Sequence, residues 1–260
     1  MTPVVVPGVV PSSTLIDVSG VGGYVRLVLV VAVLAGLAAL VSHFGRLQPA
    51  RKDLGAALRA TVQLGVVGLL ITVVLRSWWL TAAFVLLMLT VASVTAGRRL
   101  VPTGRWWVAA VPVWAGAVPV GLALMASGLI PLAEVSVVPV LGILVGNAMT
   151  ATTLAGRRTL DALSGRRGEV EAALSIGLET RDARVLVARD DAGLALLPGL
   201  DQTRTVGIVT LPGAFVGVLL GGATPLQAAA VQLVVLAALL LVQSVAVLLT
   251  LELCARDVLR

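Results

Sequence analysis

Residues 24–43 read YVRLVLVVAVLAGLAALVSH, a run of twenty in which Arg26 is the only charged side chain at neutral pH. As an α-helix such a run is about 30 Å long, which matches the hydrocarbon core of a bilayer. The rest of the 260-residue chain is similar, with 58% hydrophobic residues, 12% charged residues and a mean hydropathy of +1.05. Soluble domains carry about 25% charged residues. We therefore expect an all-α, polytopic membrane protein.

Seven stretches of the sequence are long and apolar enough to cross a membrane. They lie at about 24–43, 54–75, 78–96, 106–127, 131–155, 203–221 and 225–252. The first 23 residues contain no basic residue, so no cleavable signal peptide is expected and the first helix serves as its own insertion signal. The sequence thus predicts a single transmembrane domain over 1–260 with about seven helices.

The basic residues lie mostly on one side of these spans. Fifteen of the nineteen follow the first, third, fifth or seventh span, and positively charged loops stay in the cytoplasm. We therefore expect a multi-pass protein of the cell (inner) membrane, with its N-terminus outside and its C-terminus in the cytoplasm. The one-sided placement of the basic residues orients the chain, so the net charge of +6 does not indicate a nucleic-acid partner, and none is expected. Trp78, Trp79, Trp106 and Trp107 fit the aromatic belts at the lipid interfaces.

One long polar segment, 156–200, separates the fifth and sixth predicted spans and is expected to form a helical cytosolic loop. It carries seven arginines and seven acids, and apolar residues recur every four positions from Val170, as on an amphipathic helix. The loop is either a helical hairpin on the membrane surface or a docking element for a cytosolic partner. Glu171, Ala172 and Ala173 followed by Gly177 match the first half of the EAA-type signature of permeases in ATP-binding-cassette (ABC) transporters.

The order of motifs around this loop is more specific than the loop itself. PVLGILVGNAMTATTLAGRR begins at Pro139, and GIVTLPGAFVGVLLGGATPLQAAAVQLVV begins at Gly207. Together with RATVQL at 59–64, these motifs make residues 50–255 resemble the FetB (YbbM) family of ABC-transporter permeases. That family is known for bacterial iron export and has plant relatives linked to aluminium tolerance.

The resemblance implies a permease subunit that moves a substrate, such as iron or another metal cation, out of the cytoplasm. It implies a separate cytosolic ABC ATPase that docks at Glu171, Ala172, Ala173 and Gly177, and a permease homodimer surrounded by membrane lipid. Family methionines, a threonine and a glutamine after Leu-Pro-Gly are replaced here from Ala214 to Val218. Whether a metal site exists therefore stays open.

The sequence offers no sign of an enzyme. No P-loop surrounds the sole lysine, Lys52, and no Ser-His-Asp set or metal cluster is evident. The chain is expected to hold no catalytic residue and no cofactor of its own, because ATP and magnesium would bind to the partner subunit.

Polar or backbone-breaking residues inside the spans are candidates for the translocation pathway. Arg59 either lines this pathway or extends to the lipid headgroups, and Asn147 either contacts cargo or bonds an adjacent helix. Gln232 and Gln243 are eleven residues apart, near three helical turns, so both face either one neighbouring helix or the pore. The candidate set is Arg59, Gln63, Asn147, Met149, Thr150, Leu211, Pro212, Gly213 and Gln232.

Two other functions compete with the permease. An ion-driven secondary transporter would need membrane-embedded carboxylates, and the chain offers only Glu134 and Glu252, both near span edges. A membrane scaffold would use 156–200 to recruit a cytosolic protein without transporting anything. Two G-x-x-x-G spacings, Gly142/Gly146 and Gly217/Gly221, suit close helix packing and would also suit a permease dimer.

Overall fold

The computed structural model describes residues 20–258, and these residues form helices joined by turns, with no β-strand among them. Ten α-helices and two 3-10 turns follow one another in the described part of the chain. They are α1 Gly20–Phe44, α2 Ala50–Val74, α3 Trp78–Leu100, the 3-10 turn Trp106–Ala109, α4 Ala110–Ala126, α5 Glu134–Gly165, α6 Arg167–Ser175, α7 Thr180–Gly193, the 3-10 turn Leu194–Leu196, α8 Leu197–Thr205, α9 Gly213–Leu220 and α10 Pro225–Ala255. The all-α, polytopic class predicted from the sequence is confirmed.

Six of these elements are long and apolar enough to span a membrane, and they match six of the seven predicted spans. The chain divides into two compact units at Thr72/Val73. In the first unit, the described residues form α1 and most of α2, with nearly every side chain exposed. The second unit contains α3 to α10 and an apolar core shared by α3, α4, α5 and α10.

The sixth predicted span, 203–221, is not one continuous helix. The helix α8 ends at Thr205, residues 206–212 are irregular, and α9 is only eight residues long. Pro212 lacks an amide hydrogen and disfavours helical geometry at Leu211, and Gly207 adopts a positive φ of 82°. These local properties interrupt the helix that an apolar composition would otherwise support.

The chain between α5 and α10 nevertheless returns across the thickness of the bundle. Asn147 of α5 bonds Gln243 of α10, and the residues after these two positions share a second core cluster, so the two helices run parallel. Gly199 lies against Gln243, eighteen residues or about 27 Å along α10 from Pro225. Residues 197–220, hereafter the return segment, therefore make the crossing that the sequence assigned to a single helix.

The long polar segment is helical, as expected, but part of it extends a predicted span. Instead of ending near 155, α5 continues to Gly165, and α6 and α7 follow as separate helices. Ala-rich faces pack α7 against α5 and α10, with Ala188 and Ala192 fully buried. The segment is thus an ordered extension of the transmembrane core.

Small residues allow the close helix contacts of the second unit. A methyl group added to Gly142 would lie 2.9 Å from the end of Met88 on α3, whereas Gly146 and Gly217 have open space around them. A methyl group on Gly221 would meet the carbonyls of its own last turn at 3.3 and 3.4 Å, so among these four glycines in the described residues Gly142 alone makes a close contact with another helix. The role of these glycines in a homodimer stays a prediction.

Candidate functional site

A cavity of about 430 Å³ lies between the return segment and α10. Its walls are mostly apolar, and the one side chain with a polar amide is Gln232. The lining consists of Val206, Gly207, Leu211, Pro212, Phe215, Ala229, Gln232, Leu233 and Leu236. The structure thus brings together Leu211, Pro212 and Gln232 from the predicted pathway set, with Gly213 next to them in the chain.

The interrupted backbone supplies oxygen atoms at this cavity. The Thr205 carbonyl accepts hydrogen bonds from the amides of 208–210, the shortest being 2.9 Å from Val209. Among the described residues, no backbone amide donates to the carbonyls of Gly207 or Leu211, two residues of the lining. Irregular backbone is tolerated at membrane depth only where protein or a wet cavity satisfies it. These two carbonyls therefore lack the backbone donor that a continuous helix would provide.

Gln232 adds a buried acceptor on the opposite wall. Its side chain is only 5% exposed, and within residues 20–258 its Oε1 atom has no hydrogen-bond partner. A buried acceptor left without a donor costs about 1–3 kcal/mol. Gln232 thus places an unpaired amide oxygen in the wall beside the cavity.

A second polar contact joins α5, α8 and α10. Gln243 Nε2 donates to Asn147 Oδ1 at 2.9 Å, and Asn147 Nδ2 donates to the Ile143 carbonyl at 2.9 Å. The structure therefore places Asn147 in a helix-to-helix bond, one of the two roles that its sequence left open. Gln243 is 6% exposed and its Oε1 has no partner in the described chain. Gln243 also lines a cavity of about 70 Å³, together with Thr150 and Gly199.

The two glutamines of α10 both border the return segment. Eleven residues along a helix correspond to about 16 Å and nearly the same angular position. Gln232 faces the irregular part of the return segment and Gln243 faces α8. One face of α10 therefore presents two buried amide oxygens to the same neighbouring segment.

The remaining predicted pathway residues are distributed differently. Arg59 and Gln63 lie exposed on α2 in the first unit. Met149 packs against the apolar core, and the Thr150 hydroxyl donates to the Gly146 carbonyl at 3.0 Å within α5. No cluster of three or more His, Cys, Asp or Glu side chains occurs in residues 20–258. Any cation in the described cavities would therefore rely on amide, hydroxyl and carbonyl oxygens.

At the other end of α5, the short helix α6 carries the EAA-like residues. Glu171 and Ala172 are exposed, whereas Ala173 is buried against the adjoining helices. Gly177 has a φ of 93°, and its amide and that of Leu178 bond the carbonyls of the last turn at 3.0 and 3.2 Å. This is the glycine-terminated C-cap that ends many helices. The glycine of the EAA-like motif thus has a structural role here, because it ends α6 with a positive φ.

Two arginine clusters connect α6 and α7 to the transmembrane helices. Arg166 forms paired hydrogen bonds with Glu169 at 2.7 and 2.8 Å and also bonds Asp191 at 2.9 Å. The Arg166 guanidinium lowers the pKa of Glu169 below its ordinary value, chiefly through these hydrogen bonds. Arg181 of α7 binds Glu252 at 2.7 Å on the last turns of α10.

The contact between Arg181 and Glu252 extends what the sequence suggested. Glu252 pairs with Arg256 one turn away at 2.5 Å, as its spacing predicts. Its second partner, Arg181, is 71 residues away in the sequence. Arg184 adds a hydrogen bond of 3.2 Å to the Ala255 carbonyl. The helix α7 is therefore tied both to the junction of α5 with α6 and to the end of α10.

Long apolar helices, an interrupted crossing that borders a cavity and an ordered polar extension define a multi-pass membrane protein of the helical class. The chain belongs to the family described as "Uncharacterised protein family (UPF0014)", whose model matches residues 25–259. The resemblance to the FetB family inferred from the motifs is thereby confirmed.

Several curated relatives share most of the chain. It is 36% identical over 237 residues to the UPF0014 membrane protein STAR2 of Oryza sativa subsp. japonica, covering 89% of this chain and 82% of the relative. It is 32% identical to Protein ALUMINUM SENSITIVE 3 of Arabidopsis thaliana, with 77% and 74% covered. It is 28% identical to the "Probable iron export permease protein FetB" of Escherichia coli (strain K12), with 76% and 78% covered. No solved structure matches the chain.

Proposed function

We propose that this chain is the permease subunit of an ABC transporter. In this proposal a separate cytosolic ATPase hydrolyses ATP, and the permease moves a substrate out of the cytoplasm. The observation that carries the proposal is the cavity beside the interrupted crossing, which is lined by Gln232, a buried residue whose side-chain oxygen has no partner in the described chain. The printed name of the Escherichia coli relative, an iron export permease, supports transport and suggests a metal cation as cargo.

The chemistry of the cavity favours weak, oxygen-based binding. Carbonyl and amide oxygens bind hard cations, whereas soft cations prefer thiolate or imidazole ligands, which the lining does not contain. A volume of about 430 Å³ also leaves room for several water molecules. A cation could therefore keep part of its hydration shell. Weak binding suits a transporter, because the cargo must leave again.

The proposed ATPase contact is α6. Its exposed Glu171 and Ala172 offer a carboxylate beside a small side chain, and Ile176 at its end is 78% exposed. In this proposal, a movement of α6 passes to α7 through Arg166 and from α7 to α10 through the pair of Arg181 and Glu252. Both glutamines that face the return segment lie on α10.

The remaining features of the assembly follow the charge distribution. We propose that the C-terminus and the α6–α7 extension lie in the cytoplasm, that the N-terminus lies outside, and that two permease chains pair with two ATPase subunits in the inner membrane. The basic residues around α6 and α7 support this orientation.

The experiment that tests the function is flux through proteoliposomes. The chain is reconstituted with a P-loop ATPase encoded beside it, and ATP-dependent movement of Fe²⁺ is followed with an indicator dye. We expect Gln232→Leu to reduce flux at least tenfold while the ATPase still binds, because the substitution removes the buried oxygen and keeps an apolar side chain of similar size. Ser244→Ala is the control, since it removes an exposed hydroxyl from α10.

Three outcomes would contradict the proposal. An undiminished flux through Gln232→Leu would show that the cavity is not on the pathway. Flux that persists without ATP and depends on a proton gradient would favour a secondary transporter. Binding of a cytosolic partner without movement of any cargo would favour a scaffold. An intact complex that transports another cation would change only the cargo.

A further inference from the structure

Three exposed arginines lie close together where α3 ends and the chain turns towards α4. They are Arg98 and Arg99 in the last turn of α3 and Arg105 just before the 3-10 turn. In the part of the chain that the structure describes, none of the three forms an ion pair or a side-chain hydrogen bond. Arg166 and Arg181, by contrast, each bind two carboxylates. The turn thus carries positive charge that no residue of the described chain neutralises.

The backbone of this turn is held tightly. A methyl group on Gly97 would lie 2.0 Å from the carbonyl oxygen of Trp106, so the start of the 3-10 turn rests directly on the last turns of α3. The Val101 amide also bonds the Gly97 carbonyl at 2.9 Å. The backbone of the turn is therefore held against α3, which fixes where its side chains begin.

Two of the arginines stack on tryptophan rings. The Arg98 guanidinium carbon lies 5.6 Å from the ring centre of Trp106, and that of Arg105 lies 5.8 Å from that of Trp107. The two indoles meet edge to face, with centres 6.1 Å apart. A guanidinium that stacks on a ring keeps its N–H groups free at its edge, where they match the paired oxygens of a phosphate.

The position of this cluster identifies the phosphate that can reach it. Leu100 packs against Gly156 on α5, and Val101 packs near Leu160 and Cys254, so the cluster lies towards the ends of α5 and α10 that carry α6 and α7. Trp107 is 53% exposed beside the arginines. Tryptophan and arginine together are typical of the level of lipid headgroups.

We propose that Arg98 and Arg105, stacked on Trp106 and Trp107, bind the phosphate of an anionic phospholipid. The phosphate accepts hydrogen bonds from both guanidiniums, and Arg99 adds positive charge. The indoles contact the glycerol and the upper acyl chain. This site is distinct from the cavity beside Gln232, and it requires neither a cargo nor an ATPase partner.

Lipid binding to the purified full-length chain tests the site. Dioleoylphosphatidylglycerol and dioleoylphosphatidylcholine are titrated into detergent micelles, and bound lipid is counted by native mass spectrometry. We expect saturable binding of one phosphatidylglycerol per chain in preference to phosphatidylcholine. R98Q/R105Q should weaken phosphatidylglycerol binding about 30-fold, because each basic residue near an anionic lipid contributes about fivefold.

A matched double variant separates a specific site from general charge attraction. R189Q/R204Q removes the same net charge from two side chains that are 68% and 69% exposed elsewhere in the second unit. This control should bind phosphatidylglycerol as the wild type does. An equal loss in both double variants, or no loss in R98Q/R105Q, would overturn the proposal.

Two further measurements test the source of the phosphate and the role of the rings. Inorganic phosphate at millimolar concentration should leave lipid binding unchanged, and full competition by it would identify a soluble anion as the ligand. W106L/W107L keeps the apolar bulk and should weaken phosphatidylglycerol binding severalfold, because the guanidiniums lose the surfaces that orient them. Unchanged binding by this variant would show that the stacked arrangement does not form the site.

Discussion

Replacing Gly199 with alanine tests the contact between α8 and α10 directly. The added methyl carbon would lie 1.9 Å from Gln243 Oε1, 2.7 Å from its Cδ and 2.8 Å from its Nε2. All three distances are shorter than a van der Waals contact, so the whole amide group must move. Gln243 is buried, and the space that its amide can enter is the adjoining cavity of about 70 Å³. The absence of a side chain at position 199 is therefore what permits the bond between Gln243 and Asn147.

The size of the effect follows from the bond that is lost. Moving the amide breaks the 2.9 Å hydrogen bond from Gln243 Nε2 to Asn147 Oδ1 and leaves buried polar atoms unpaired. Such a loss costs about 1–3 kcal/mol. Alanine in a helix gains about 0.5–1 kcal/mol over glycine, which offsets part of this cost. We expect Gly199→Ala to reduce the free energy of unfolding by about 1–2 kcal/mol.

The assay is equilibrium unfolding of the purified chain in mixed micelles, followed by tryptophan fluorescence. Gly193→Ala is the matched control, because a methyl group there meets no atom within 4 Å. The decisive variant is the double substitution Gly199→Ala/Gln243→Ala, in which the alanine methyl has no amide to displace. The cost of the Gly199 change should then fall by about 1 kcal/mol or more, as expected for residues in contact.

Two results would refute this reasoning. Gly199→Ala could prove as stable as Gly193→Ala, which would mean that α8 does not approach Gln243 as closely as the structure has it. Alternatively, the cost of the Gly199 change could be the same with and without Gln243, which would place its origin in the backbone of α8.

Three further predictions concern the polar extension. Arg181→Glu and Glu252→Arg should each increase proteolysis of the α6–α7 region, because each leaves like charges in contact. The double exchange should restore only part of the protection, because position 181 then carries the same charge as Asp182 and position 252 the same charge as Arg256. A double variant cleaved faster than both singles would contradict the ion pair. Arg166 lowers the pKa of Glu169 in the folded state, so the wild type should be more stable than Glu169→Gln above the ordinary pKa of about 4.5 and should lose this advantage as the pH falls below that value. The measurement is the melting temperature of both proteins against pH, and a difference that stays constant with pH would refute the prediction. Gly177→Ala should destabilise the end of α6 by about 1 kcal/mol, because it forces a residue with a side chain into a positive φ. The effect should appear as faster hydrogen exchange at 171–178, and unchanged exchange would show that the turn adopts another conformation.

The apolar spans and the helical extension could be predicted because both depend on local composition. The interruption of 203–221 could be predicted only in part. The Leu211–Pro212–Gly213 sequence indicates freed carbonyls, but hydropathy counts apolar residues and does not show how many peptide units leave the helix. The structure places seven residues, 206–212, outside it. Composition therefore located the segment that crosses the bundle, but it did not show that seven of its residues are not helical.

Contacts between residues that are far apart in the chain could not be predicted from the sequence. Asn147 and Gln243 are 96 residues apart, and each had an alternative role in the pathway that its sequence could not exclude. Glu252 already had a partner one turn away, so its spacing gave no reason to seek Arg181. In both cases the residue types indicated a polar contact, and only the packing of parallel α5 and α10 with α7 identified the partners.

The continuity of α10 has a consequence for the proposed transport cycle. Glu252 and Gln232 are twenty residues apart, or about 30 Å, on one uninterrupted helix whose buried face packs closely on α5. A movement of α7 applied at Glu252 can reach Gln232 only if α10 moves as a rigid body, because its backbone bonds leave no hinge between them. The return segment has a turn with several amides bonded to one carbonyl at 206–212, in place of a continuous helical ladder, and can change its backbone angles at lower cost. Opening and closing of the cavity is therefore expected to occur in the return segment, while α10 carries the movement.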